Sequence, residues 1–150
     1  MSVAFQKQWL SFSLGNQYYA APLRSVSEVA KGLEITEVPG APREVLGVCQ
    51  MRGQIFPVVC GRRRLGFDDA LVADPAMVIV HYGLNVVGLL VDAVSDMLTI
   101  DEDSVTPPPL GTKRIDDPVS GVINRNGTFV ALVDIDRLFP LDNELKDVTA

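Results

Sequence analysis

Residues 47–66, GVCQMRGQIFPVVCGRRRLG, return later in the chain as residues 121–140, GVINRNGTFVALVDIDRLFP. At a single offset of 74 residues, Gly47 aligns with Gly121, Gly53 with Gly127, and Ile55-Phe56 with Phe129-Val130. Each copy reads as an apolar run, a two-residue turn and a second apolar run, the pattern of a β-hairpin. A weaker echo lies upstream of each copy. LGNQYYAAPLRSVSEV and YGLNVVGLLVDAVSDM both give a turn, an apolar strand, and then Ser-Val-Ser-Glu or Ala-Val-Ser-Asp. Matching order and near-constant spacing imply two structurally similar halves, and two copies are too few for a solenoid.

Outside these copies the apolar residues also come in short runs rich in Val, Ile and aromatics, so strands dominate. The expected strands are 8–14, 17–22, 34–38, 47–51, 54–60, 76–82, 85–91, 93–100, 119–124 and 128–133, with short helical turns at 62–65 and 134–139. Gly15-Asn16, Gly32, Arg52-Gly53, Gly83 and Asn126-Gly127 punctuate them as turns. The fold expected is all-β with minor helix: two structurally similar halves, of a pattern that suits small barrels, packed on each other and leaving a groove between them. The halves span about 15–75 and 76–139, with the N-terminal strand 8–14 and the segment 140–150 free to cross between them. Residues 66–75 form the link, and 106–118, with three successive prolines, form a stiff spacer or a lid over the groove.

One position breaks the repeat. Asn126-Gly127 favours the tight hairpin turn with positive φ at both central residues, whereas the first copy has Arg52 in the place of Asn126. Arginine does not favour that conformation, so the turn type relaxes or backbone strain is accepted to present a cation at the hairpin tip.

The chain has 150 residues, 47% of them hydrophobic, enough for one folded domain of ordinary size. Its start, MSVAFQKQWLSFSLGN, lacks the pattern of a signal peptide, and no apolar run approaches a membrane span, which gives a cytosolic expectation. The net charge of −6 is uneven: residues 1–70 hold 8 Lys+Arg against 6 Asp+Glu, and residues 71–150 hold 5 against 13. The tight basic cluster Arg62-Arg63-Arg64 lies amid apolar residues without interleaved aromatics, so it reads as a solvated helical turn rather than a phosphate track. Cys49 and Cys60 have neither redox nor zinc spacing and read as buried thiols.

Catalytic constellations are missing. His81 is the sole histidine, which rules out a histidine triad or a multi-histidine metal site and leaves only a lone base paired with an acid. Asp101-Glu102-Asp103 and Asp116-Asp117 lack the ligand alternation of a calcium loop. No cofactor is expected, and the chain reads as a binding protein rather than an enzyme. A groove-binding small-molecule protein using His81 is the competing reading.

The stretch VLGVCQMRGQIFPVVCGRRRLGF resembles the CheW-like chemotaxis coupling domains, in which a Gly-Val strand leads through Asn-Leu-Arg-Gly to an apolar strand and an Asp-Leu-Arg helix start. LSFSLGNQYYAAPLRSVSEV, MVIVHYGLNVVGLLVDAVSDMLTI and GVINRNGTFVALVDIDRLF extend the resemblance in register from about Trp9 to Phe139. The resemblance implies two pseudo-symmetric five-stranded β-barrel subdomains packed on a shared hydrophobic core. It also implies a non-enzymatic cytoplasmic adaptor, monomeric alone, that joins chemoreceptor cytoplasmic domains to the regulatory domain of a CheA-type histidine kinase within an array. It implies no nucleic acid and no membrane insertion. Carried over residue by residue, it assigns receptor and kinase binding to Arg52 and Gly53 at the turn, to Val26, Glu28 and Val29, and to Val91, Asp92 and Val94. Valine at these positions also suits a core. Two departures stand out: Gln50-Met51 replace Asn-Leu, and Cys60-Gly61 replace Asp-Leu, which removes a helix-capping carboxylate. They point to a divergent branch, such as a scaffold for type IV pilus motility.

Overall fold

A computed structural model describes residues 6–67, 72–108 and 118–139. The linker residues 68–71, the proline-rich stretch 109–117 with Asp116-Asp117, and the segment 140–150 lie outside the described residues. In chain order the strands are β1 (Gln6–Leu14), β2 (Gln17–Pro22), β3 (Val26–Lys31), β4 (Val45–Met51), β5 (Gln54–Cys60), β6 (Ala76–Tyr82), β7 (Asn85–Val91), β8 (Ala93–Asp101), β9 (Val119–Arg125) and β10 (Thr128–Val133). Helix α1 (Gly61–Arg64) follows β5 and α2 (Ile135–Leu138) follows β10, each a single turn.

Two-residue turns set the register. Leu14 pairs with Gln17 and Tyr82 with Asn85, and the first central residues Gly15 and Gly83 both have φ 60°. Met51 pairs with Gln54 and Arg125 with Thr128, and both central residues have positive φ: 51° and 78° at Arg52-Gly53, 54° and 86° at Asn126-Gly127. Each repeat thus contains one hairpin turned on a leading glycine and one on a doubly left-handed pair. Arg52 keeps the left-handed turn of its sister hairpin, so the turn type has not relaxed.

The strands form two five-stranded sheets, sheet 1 in the order β8-β1-β2-β10-β9 and sheet 2 in the order β3-β6-β7-β5-β4. Replacing each strand of one order by its repeat mate gives the other. Neither sheet is one repeat: sheet 1 takes β1 and β2 from the first copy and β8 to β10 from the second, and sheet 2 the converse. The copies have exchanged their leading hairpins.

The expected barrels do not close. In each sheet the two edge strands, β3 and β4 or β8 and β9, are not joined by a ladder. Instead, the segment leaving one edge makes a single bridge to the other: Thr36 to Val48, with N–O distances of 2.9 and 2.8 Å, and Thr106 to Val122, with the same two distances. The expected strand 34–38 is reduced to that bridge, while Val26–Lys31, not expected as a strand, is β3. Proline explains the arrest, since Pro39 and Pro42 on one strap and Pro107 and Pro108 on the other have no N–H to extend a ladder. The aligned glycines mark where the straps cross. A Cβ on Gly47 would sit 2.1 Å from the Thr36 carbonyl oxygen, and one on Gly121 2.5 Å from Val105 Cγ1.

Three apolar clusters hold the molecule. Between the sheets lie Phe12, Leu14, Val78, Val80, Leu89 and Val133, with others. Ala20, Leu98, Ile123 and Leu132 fill sheet 1, and Cys49, Phe56, Val58 and Ile79 fill sheet 2. Both faces of the central strands are therefore buried, which explains why β5 and β6 read as continuous apolar runs.

Candidate docking surface and inter-sheet clamp

The residues assigned to binding fall into two groups. Val26, Glu28 and Val29 lie on β3, at one edge of sheet 2, and Arg52-Gly53 lie at the tip of the β4–β5 hairpin that ends at the other edge. Arg52 Nη1 donates to Glu28 Oε1 at 2.8 Å, so hairpin tip and edge strand meet across the open side of the sheet. The guanidinium is largely exposed and Glu28 half-buried, an arrangement in which the carboxylate aims the cation rather than neutralising it. Val29 is exposed, and Val26 packs against the inter-sheet core.

Val91, Asp92 and Val94 lie at the crossover from β7 of sheet 2 to β8 of sheet 1. Val91 is buried and Val94 packs on the inter-sheet core. Asp92 is held on every side. Arg62 binds it in a fork, Nε to Oδ1 at 2.8 Å and Nη2 to Oδ2 at 2.6 Å, and the Gly15 amide donates to Oδ2 at 2.8 Å. The hydrogen bond from Arg62 holds the Asp92 carboxyl below the usual carboxylate range, against the opposing effect of burial.

The arginine cluster is not a solvated turn. Arg62 grips Asp92, Arg63 Nη1 donates to the Arg43 carbonyl at 3.0 Å, and Arg64 donates to the Leu138 and Arg137 carbonyls at 2.8 and 2.7 Å. Helix α1 thereby fastens sheet 2 to the crossover and to the end of α2. The glycine at its start permits the close fit, because a Cβ on Gly61 would meet the Leu90 carbonyl oxygen at 2.7 Å. Cys60 supplies no side-chain cap to α1, whereas Asp134, its mate in the repeat, caps α2 by accepting from the Asp136 amide at 2.9 Å.

Among the described residues, four of the six exposed large apolar residues form two repeat-related pairs that single-residue reasoning missed, while Tyr18 and Leu84 have no exposed apolar mate. Ile55 and Phe129, which align at the hairpin tips, are 55% and 65% exposed; Val29 and Met97, which align on edge strands, are 42% and 59% exposed. The repeat register, already visible in the sequence, was the signal that could have found Ile55, Met97 and Phe129. Polar decoration breaks the symmetry: Arg52 and Glu28 pair in sheet 2, and their mates Asn126 and Asp96 cannot form an ion pair.

A cleft of about 510 Å³ between the sheets is lined by Trp9, Arg24, His81, Gly83, Asp134 and Asp136, among others. His81 is exposed at its rim and, among the described residues, makes no hydrogen bond to Asp134 or Asp136; the Asp134 carboxylate is occupied with its cap and with Arg137 at 3.8 Å. No cluster of His, Cys, Asp or Glu suited to a metal ion occurs among the described residues. Cys49 is buried, which raises its thiol pKa, and donates to the Glu34 carbonyl at 3.1 Å. No helix among the described residues is long and apolar enough to cross a membrane.

Two open sheets locked by an internal ion pair, with apolar and charged groups displayed at their edges, define a protein-binding scaffold. The chain belongs to the CheW-like domain family, whose model matches residues 8–142. It is 34% identical over 136 residues to the chemotaxis protein CheW of Rhizobium meliloti, covering 89% of this chain and 88% of that one. It is 27% identical over 128 residues to protein FrzA of Myxococcus xanthus, covering 85% and 80%. The crystal structure of the scaffolding protein TtCheW from Thermoanaerobacter tengcongensis superposes with a TM-score of 0.84 at 30% identity, covering 94% and 97% of the two chains. The chain is accordingly a non-catalytic signalling adaptor of the chemotaxis type.

Proposed function

We propose that this adaptor works in the cytoplasm, joining the cytoplasmic domains of membrane chemoreceptors to the regulatory domain of a CheA-type histidine kinase. The observation that carries the reading is Arg52: a non-glycine residue held at φ 51° on an exposed hairpin tip, braced by Glu28 and flanked by exposed Ile55 and Val29. A cation on an apolar surface, presented at the cost of backbone strain, is the composition of an interface anchor. The repeat-related but differently charged tips support two distinct partners, one for each sheet. Val26, Gly53, Val91, Asp92 and Val94 support these surfaces from beneath or beside them.

Pull-down with a receptor cytoplasmic fragment and with the kinase regulatory domain tests the reading, and retention of neither rejects it. Arg52→Glu should weaken partner binding at least tenfold. The melting temperature should move by no more than a few degrees, because an exposed ion pair contributes about 0–1 kcal/mol. A second reading, service in a pilus or other motility system, is supported by the departures Gln50-Met51 and Cys60-Gly61 from the family pattern. Binding to receptors of one system and not the other decides between them.

A further inference from the structure

The Arg62–Asp92 clamp has a mate that stands open. With the repeat offset of 68 residues for the leading hairpins, Asp92 aligns with Arg24 and Gly15 with Gly83; with the offset of 74, Arg62 aligns with Asp136. The second set is thus the first with its charges reversed. Arg24 lies in the 3-10 turn Leu23–Ser25 at the other crossover, from sheet 1 to sheet 2, and Asp136 lies in α2. Arg24, Gly83 and Asp136 line the same 510 Å³ cleft, with Lys7, His81 and Asp134 as its other charged or titratable groups. Among the described residues no hydrogen bond or ion pair engages the side chain of Arg24 or Asp136, while Lys7 is drawn to Glu102 at 3.4 Å. The starts of the two helices also differ. Where α1 begins with Gly61 against the Leu90 carbonyl, α2 begins with Ile135, a buried side chain in the inter-sheet core.

We infer that Arg24 and Asp136 form a second inter-sheet clamp, open in this structure, whose closure changes the angle between the sheets when a partner binds. Complementarity kept through reversal of both charges is what a pair under a requirement to meet displays, and two unrelated surface residues have no reason to reverse together. The apolar contacts between the sheets are non-directional, whereas the bidentate Arg62–Asp92 fork fixes the geometry of one crossover. The link to partner binding rests on the adaptor reading above; the clamp itself does not.

Spin labels on Leu84→Cys, at the β6–β7 tip, and on Arg125→Cys, at the end of β9, report the distance between the sheets by pulsed electron resonance; the native cysteines are buried. Lowering ionic strength from about 1 M to about 0.01 M lengthens the screening distance from about 3 Å to about 30 Å and favours closure. The expected result is a change in label distance at low salt, or on adding receptor fragment or kinase regulatory domain. It should be lost in Arg24→Ala and in Asp136→Ala and restored in the charge exchange Arg24→Asp with Asp136→Arg. A distance unmoved by salt and by bound partner, or a change that survives in the single variants, overturns the clamp. If salt moves the labels as described but neither partner binds, the adaptor reading fails and the clamp stands.

Discussion

Removing the Arg62 guanidinium should have the largest effect of any single polar change in the molecule. Both side chains of the Arg62–Asp92 pair are only 15% exposed, and the pair is bidentate. Breaking a fully buried ion pair by deleting one partner costs roughly 3–5 kcal/mol, because the other charge is left buried. Here Asp92 keeps its bond from the Gly15 amide and some access to water, so about 2–3 kcal/mol is expected for Arg62→Ala. For a domain of this size that is a fall in Tm of about 6–10 °C. The pH dependence follows from the depressed Asp92 carboxyl. A group whose folded pKa lies below its unfolded value stabilises fully above about pH 4, the unfolded aspartate range, and loses that contribution as pH falls through the folded value. The difference between wild type and Arg62→Ala should therefore be complete at pH 7 and shrink progressively below about pH 4. Urea unfolding at a series of pH values, followed by circular dichroism, measures it. A difference under about 0.5 kcal/mol at pH 7, or one that does not decline in acid, would refute the assignment of Arg62 as a clamp.

Gly47→Ala should be far more damaging than an average surface change, by about 3 kcal/mol or more, because the intruding Cβ meets a backbone oxygen at 2.1 Å. Gly121→Ala meets the end of a valine side chain first and should cost clearly less; equal losses in thermal melts would contradict the geometry. Arg52→Gly should raise stability by about 1 kcal/mol by relieving the left-handed arginine, while partner binding falls; a drop in urea midpoint would show that no strain is stored there. Asp134→Ala should cost about 1 kcal/mol through loss of the α2 cap, and a neutral result would mean the cap bond at 2.9 Å is idle.

Much of this was legible in the sequence, for physical reasons that differ by element. Hairpins were read well because their turns are encoded in two residues each; at Arg52-Gly53 the sequence allowed either a relaxed or a strained turn, and the structure shows the left-handed turn of Asn126-Gly127. β3 was missed because its burial alternates between half-buried and exposed, so VSEVAK carries little apolar signal on either face. The strap at 34–38 was over-read for the opposite reason, since Leu33 and Ile35 are apolar but pack beneath sheet 2 without a ladder. Barrel closure could not be read at all, because it depends on which prolines face the last free edge. The three arginines misled because charge alone does not reveal a partner 30 or 74 residues away. Arg52 was found through a break in a repeat, and Ile55, Met97 and Phe129 could have been found through its continuity.

The exchange of leading hairpins has a consequence for how such a chain could arise. A single copy, cut free, would carry one hairpin whose outer neighbours on both sides belong to the other copy, and three more strands that lack their central pair. Two identical copies, each lending its first hairpin to the other, would complete both sheets under a twofold axis. A half-length chain of this kind could reproduce the present arrangement as a reciprocally swapped homodimer, and joining two such chains end to end would free the two halves to diverge. The reversed charges at Arg24 and Asp136, and the lone cation at Arg52, are divergences that a strictly symmetric dimer could not have held on one side alone.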